Sequence, residues 1–212
     1  MGISAERLHA ALDTLAAREP AFATALARIG YPEPRISDPG FVTLLRAIVG
    51  QQVSIQAAAS IWNKLDAATG GAADPANVAG ASEEQLRGAG LSRMKALYAH
   101  SLAEEVISGR LDFNHLPADD EEAIARLVHV KGIGRWTAEI YLLFAEGRED
   151  IWPAGDLAVQ IEVGNILGLD SRPTEKQTRL LALPWRPHRG AAAIFAWHHR
   201  RVAMTKVEGA LA

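Results

Sequence analysis

The sequence predicts an all-α fold, and three observations carry that expectation. No stretch alternates Val, Ile and Thr with polar residues between tight turns, so strand signals are nearly absent. Apolar residues recur at three- and four-residue spacing along most of the chain. Ser, Thr, Asp and Pro stand where helices should begin, and Gly stands where they should end.

The elements follow in order. Residues 4–17 open at Ser4 and carry Leu8, Leu12 and Leu15 along one face. Pro20, a favoured first-turn residue, starts a helix over 20–29, and Pro32 and Pro34 then interrupt the chain. Asp38-Pro39-Gly40 marks the start of a helix over 39–49. A helix over 52–68 ends at Gly70-Gly71, and short helical pieces fill Asn77 to Gly90. Ser92 caps a helix over 93–108 that Gly109 closes, and Asp119 caps 120–128. A tight turn at 130–134 leads into a helix over 135–146. Asp156 starts one that runs to 167, Thr174 one that runs to 183, and the last covers 188–206. Connections are short, with no repeat and no low-complexity linker, so residues 1–212 are expected to form a single unit.

Composition narrows the function classes. Apolar residues make up 49% of the 212 and charged residues 22%, as in an ordinary globular protein that buries a real core. No run of 18 apolar residues exists to span a membrane. The first seven residues lack the basic and apolar regions of a signal peptide, so a cytoplasmic protein is expected. Cysteine is absent, which excludes disulfides, thiolate zinc sites and cysteine-ligated iron–sulfur clusters. The net charge of −3 argues against a basic nucleic-acid binder, but the charge is unevenly placed. Acid concentrates at Asp119 to Glu122 and Glu146 to Asp150. Basic residues gather at Lys131 and Arg135, at Arg186, His188 and Arg189, and at His198 to Arg201. A local basic face can hold phosphate on an acidic protein. His198 and His199 lack metal-ligand spacing, diverge on a helix, and are expected at the surface.

The segment Val128-His129-Val130-Lys131-Gly132-Ile133-Gly134-Arg135-Trp136-Thr137-Ala138 is the most informative. One helix ends and another begins around two glycines, which allow backbone conformations closed to other residues. Ile133 between them can turn inward and pin the turn. Free N–H groups at the next helix start make an anion site suited to phosphate, with Lys131 and Arg135 adding charge at its rim. Read from the glycines alone, a purely structural turn fits equally well. Downstream, Pro153-Ala154-Gly155-Asp156 precedes a helix, and by itself Asp156 reads as an N-cap.

Together these segments resemble the helix-hairpin-helix DNA glycosylases, over roughly residues 40–205. The hairpin pattern apolar–x–apolar–x–Gly–apolar–Gly–x–x–Thr–Ala is matched, with Lys131 where Pro is frequent. The resemblance implies that Gly132, Ile133, Gly134 and Thr137, with Lys131 and Arg135, grip a DNA phosphate. It also implies that the carbonyls of Val128, Val130 and Ile133 hold a monovalent cation, Na+ or K+. It makes Asp156 the catalytic carboxylate, set 20 residues past Trp136. A fixed carboxylate suits this chemistry, because cleaving an N-glycosidic bond builds positive charge on the sugar. Trp136 stands where the bifunctional branch carries a nucleophilic lysine, and no cysteines are present for the cluster of the endonuclease III branch. Both departures point to the 3-methyladenine DNA glycosylase II branch and to base removal without strand cleavage. Such an enzyme needs no cofactor.

Further segments extend the match. Gln51 and Gln52, within Arg46 to Ser54, resemble the loop that fills the gap left by a flipped base. Gly90 to Lys95 offers Lys95 as a supporting phosphate contact. Trp185-Arg186-Pro187-His188-Arg189 with Trp197 resembles the family's last helix, which makes Trp197 a second aromatic wall for the base and assigns Arg189 to orienting the site or touching phosphate. A cationic alkylated purine stacked on indole gains roughly 0.5–2 kcal/mol over a neutral base. The family fold implies two helical subdomains, about 40–150 and 1–39 plus 151–212, with an active-site cleft between them. The expected partner is double-stranded DNA carrying alkylated bases such as 3-methyladenine or 7-methylguanine, bound by a monomer. The rival is a helix-hairpin-helix module that binds DNA without cutting it.

Overall fold

The computed structural model describes residues 2–210, with side chains as far as Thr205. Among the described residues there is no β-strand, and no helix is long and apolar enough to cross a membrane. The fold is all-α.

Helix α1 (Ala5–Arg18) begins where the Ser4 side chain accepts the Arg7 N–H, and α2 (Pro20–Ile29) has Pro20 in its first turn. Helix α3 (Phe41–Gly50) departs from the expected cap: Gly40, not Asp38, is the N-cap, and the Tyr141 hydroxyl accepts its N–H at 2.8 Å. Helix α4 (Ile55–Thr69) starts three residues later than the apolar spacing predicts, because Ser54 caps it and leaves Gln51 to Val53 as a turn. Next come α5 (Pro75–Gly80), α6 (Glu83–Gly88), α7 (Arg93–Ile107) and α8 (Asp120–Val128), capped by Asp74, Ser82, Ser92 and Asp119. Each such cap contributes about 1 kcal/mol by satisfying an otherwise orphaned N–H. Helix α9 (Arg135–Tyr141) gives way to a π-helical turn over Leu142–Glu146, where a continuous α-helix to 146 was expected. Helix α10 (Leu157–Leu167) is capped by Asp156. Helix α11 (Glu175–Leu181) has a capping box of Thr174 and Gln177, and α12 spans Arg189–Ala210.

These elements form two compact units, one of Ser37–Tyr141 and one of the residues up to Ile36 with those from Leu142 onward. In the Ser37–Tyr141 unit, α7 lies at the centre. Its buried Ala96, Ala99 and Ala103 are small enough for α3 and α5 to approach closely. Leu44, Leu45 and Ile48 of α3, Leu65 of α4 and Leu127 of α8 complete this core, each buried side chain contributing about 1.5–3 kcal/mol.

The other unit is built on aromatic packing. Trp185 meets the ring of Phe22 edge-on at 5.0 Å and that of Trp152 at 5.5 Å, and Phe195 lies 5.7 Å from Phe22. The indole N–H of Trp152 is satisfied by the Thr178 carbonyl at 3.1 Å. Leu8, Leu12 and Leu15 of α1 are fully buried, as their spacing predicts.

His199 corrects the expectation for the C-terminal helix. It is buried, and its Nδ1 lies 2.7 Å from the Glu162 carboxylate while its Nε2 lies 2.7 Å from Arg28. Adjacent helical residues diverge by about 100°, so only one of the pair can face inward with Phe195 and Ala196. His198 remains half-buried, with its Nε2 3.3 Å from the Ile29 carbonyl.

Candidate DNA interface and catalytic carboxylate

Within the Ser37–Tyr141 unit, the hairpin after α8 is pinned from inside. Val130 and Ile133 are buried, and the Ile133 N–H donates to the Val130 carbonyl at 3.1 Å. The Lys131 N–H donates to Ser101 Oγ at 3.2 Å, tying the turn to α7. The two glycines do different work. Gly132 sits at φ 84°, and a Cβ there would lie 2.2 Å from the Tyr98 ring, so both backbone conformation and clearance demand glycine. A Cβ on Gly134 would meet nothing within 4 Å, so its contribution is a bare surface. Among the described residues, none accepts from the N–H groups of Gly132, Gly134 or Arg135. That is a row of donors open to an anion.

Two cations stand near this row, but only one adds positive charge. Lys131 is exposed. Arg135 donates to Glu121 at 2.8 Å and to the buried Glu139 at 2.9 Å, and the Glu121 carboxylate above all pushes its pKa up. Two carboxylates against one guanidinium cancel the rim charge that its sequence position suggested.

The turn between α3 and α4 is tied to the same hairpin. Gln51 Nε2 donates to the Gly132 carbonyl at 3.0 Å, so this side chain is a tether. Gln52 is exposed and, among the described residues, is the non-glycine with a left-handed backbone, at φ 56°. Lys95 Nζ donates to the Val49 carbonyl at 2.8 Å, closing the C-terminal end of α3, and burial lowers its pKa. Trp136, at the start of α9, is 50% exposed and therefore is not a core side chain.

As to the monovalent cation, the Val130 carbonyl already accepts the Ile133 N–H and keeps one lone pair. No backbone N–H among the described residues bonds the carbonyls of Val128 or Ile133. Neutral, hard oxygen donors of this kind fit Na+ or K+.

In the other unit, Asp156 closes a tight turn in which its N–H donates to the Pro153 carbonyl at 2.9 Å. Gln160 supports the turn from within through the Ala154 carbonyl at 2.8 Å. The carboxylate is half-buried. Its Oδ1 accepts the Val159 N–H at 2.9 Å and the indole N–H of Trp197 at 3.3 Å. A cap donor from α10 and an indole from α12 thus fix one oxygen in place. The Trp197 ring lies 5.6 Å from Phe144. Leu157, next to Asp156, is 54% exposed, an apolar surface that sequence periodicity alone did not single out.

Arg189 is committed to Asp150 by two hydrogen bonds of 2.8 Å, and Arg186 adds a third. Burial raises the Asp150 carboxyl, but the two guanidiniums outweigh it and hold the pKa below the usual carboxylate value. A depressed folded-state pKa contributes stability above the ordinary carboxylate range, and that contribution is lost as pH falls through the folded value. Asp150→Ala is therefore expected to cost about 2 kcal/mol at neutral pH by stranding Arg189. The difference from wild type should shrink as pH falls below the ordinary carboxylate range, measured by urea unfolding across pH.

A family model described as "HhH-GPD superfamily base excision DNA repair protein" matches residues 45–187. DNA-3-methyladenine glycosylase 1 of Schizosaccharomyces pombe is 32% identical over 164 residues, covering 76% of this chain and 72% of its own. A crystal structure of a DNA-3-methyladenine glycosidase from Bacillus halodurans superposes with a TM-score of 0.81 at 32% identity, covering 88% of this chain and 87% of that one. An S. pombe 3-methyladenine DNA glycosylase in complex with abasic DNA superposes with a TM-score of 0.75 at 29% identity, covering 88% and 94%.

Proposed function

The chain belongs to the HhH-GPD superfamily of base excision DNA repair proteins, and we propose that it is a monofunctional glycosylase that removes alkylated purines from duplex DNA, with Asp156 as its catalytic carboxylate. The observation that carries this reading is the fixed Asp156 oxygen, held by donors from two helices at a half-buried position.

The C1′–N bond of the lesion breaks and its electron pair leaves with the base. An alkylated purine such as 3-methyladenine starts with a formal positive charge, so it departs neutral and needs little help from a general acid. The sugar becomes oxocarbenium-like, and the Asp156 carboxylate stabilises that charge. Water adds at C1′ and gives up its proton, with Asp156 as the acceptor. Trp136 and Trp197 supply aromatic faces that favour a cationic base over a neutral one by roughly 0.5–2 kcal/mol. With Trp136 where the bifunctional enzymes carry lysine, no amine attacks the sugar.

The DNA backbone is assigned to the free N–H groups of Gly132, Gly134 and Arg135, with Lys131 and Thr137 beside them and Ile133 holding the turn. Backbone donors at a helix start suit a phosphate oxygen. A Na+ or K+ on the carbonyls of Val128, Val130 and Ile133 would stiffen the turn when bound. Gln52 is the gap-filling side chain, and Lys95, Arg189 and Gln51 act by holding neighbouring backbone and side chains in place. The working form is a monomer.

The test is product analysis on methylated duplex DNA. Free 3-methyladenine should appear together with an abasic site in an unbroken strand, and borohydride should trap no covalent complex. Strand scission coupled to base loss, or a trapped adduct, would refute the monofunctional assignment. DNA binding with no base release would leave the rival, a non-catalytic module.

A further inference from the structure

Ile55 is the most solvent-exposed large apolar side chain among the described residues, at 91%; the next, Ile36 and Leu180, stand at 56%. It is the first residue of α4, immediately after the cap Ser54, and Val53 two residues earlier is also exposed. An isolated surface isoleucine ordinarily needs no explanation. This one projects from a turn whose backbone is held in an unusual shape, with Gln52 in a left-handed conformation. The turn is anchored on both sides, by Gln51 to the Gly132 carbonyl and by Lys95 to the Val49 carbonyl. The protein thus holds a rigid loop with an apolar tip in water, next to the hairpin.

Along the chain, the charge on either side of that tip has one sign. Between Asp38 and Asp66 the sequence contains no acidic residue. One turn before the loop, the exposed Arg46 lays its guanidinium over Trp62 with its carbon 3.9 Å from the ring centroid. Stacking restrains the cation and leaves its N–H edge available. A protein partner would need a contiguous face of about 800 Å². Here the apolar surface is one side chain and a shoulder, set among Gln52, Ser54 and Gln56. A lone aliphatic wedge with one restrained cation a turn away is suited instead to a stacked base step with a phosphate beside it.

We infer that Ile55 is a second side chain this loop inserts into duplex DNA, wedging a base step beside the gap filled by Gln52, with Arg46 contacting the flanking phosphate. The inference rests on the reading of this loop as DNA-facing in a base-flipping enzyme. Unstacking a step costs a few kcal/mol, and an inserted aliphatic group recovers part of it by leaving water.

The experiment uses the full chain and a duplex carrying a tetrahydrofuran abasic analogue with 2-aminopurine as its neighbour. Wild type should bind it and raise the 2-aminopurine fluorescence. Ile55→Ala should weaken binding about tenfold and remove the fluorescence rise, Ile55→Leu should restore both, and affinity for undamaged duplex should change less than about twofold. The thermal midpoint should not move, because the side chain contacts solvent. Wild-type affinity and fluorescence in Ile55→Ala would overturn the inference, as would an equal loss on undamaged duplex or a wild-type self-association abolished by Ile55→Ala. If wild type shows this insertion but releases no base, the glycosylase reading fails and the wedge stands. If base release is normal and Ile55→Ala is silent, the reverse holds.

Discussion

Asp156→Asn should abolish release of 3-methyladenine from methylated duplex DNA, by about 10³-fold in the single-turnover rate, while DNA binding persists. The amide is nearly isosteric, so its oxygen still accepts the Val159 N–H and the Trp197 indole N–H, and α10 keeps its cap. What disappears is the negative charge, and with it the charge stabilisation and proton acceptor that the proposed mechanism assigns to Asp156. Removing a negative charge should leave affinity for an abasic-analogue duplex unchanged or slightly higher, since phosphates are repelled less. A variant that releases bases at the wild-type rate would strip Asp156 of its catalytic role and leave it a helix cap. A variant that unfolds would be answered by Asp156→Glu, which keeps the charge: partial activity there separates charge from capping.

Gly132→Ala should be the most damaging change in the hairpin. The added methyl would lie 2.2 Å from the Tyr98 ring, and the backbone at φ 84° is one that alanine resists. The ring must move, the turn must move, or both. Strain from the dihedral alone costs about 1 kcal/mol, and the clash adds about 1–3 kcal/mol more. Loss of the turn would also release Gln51 from the Gly132 carbonyl and disturb the open N–H row. Thermal unfolding should therefore shift down, and binding to any duplex should fall at least tenfold, damaged or not, because phosphate contacts carry no sequence information. Gly134→Ala is the internal control. Its Cβ has open space, so it should fold like wild type and lose only what a methyl beside the phosphate obstructs. Equal stability of the two variants would show that the left-handed conformation and the Tyr98 contact do not hold the hairpin.

Several parts of this architecture were legible in the residues themselves. Ser4, Ser92, Asp119, Asp156 and Thr174 all cap helices where their sequence positions predict. Other parts were misread locally. The expected cap Asp38 is displaced by Gly40, and Gln52 and Val53, which apolar spacing places in a helix, lie in a turn because the Ser54 cap starts the helix after them.

What the sequence determined, then, is everything governed by contacts three or four residues apart: an all-α chain, its caps, the Gly132 hairpin and a carboxylate at the head of α10. Tertiary structure alone decided which charges are spent. Arg135 is neutralised by Glu121, 14 residues away, Arg189 by Asp150, 39 away, and His199 is buried against Glu162, 37 away. It also decided that Gln51 reaches a carbonyl 81 residues on, and that Trp197 meets Asp156 across 41. Capping and periodicity act through the local backbone, whereas a charge or an indole acts through whatever the fold brings within about 3 Å of it, and only the packed helices choose that neighbour.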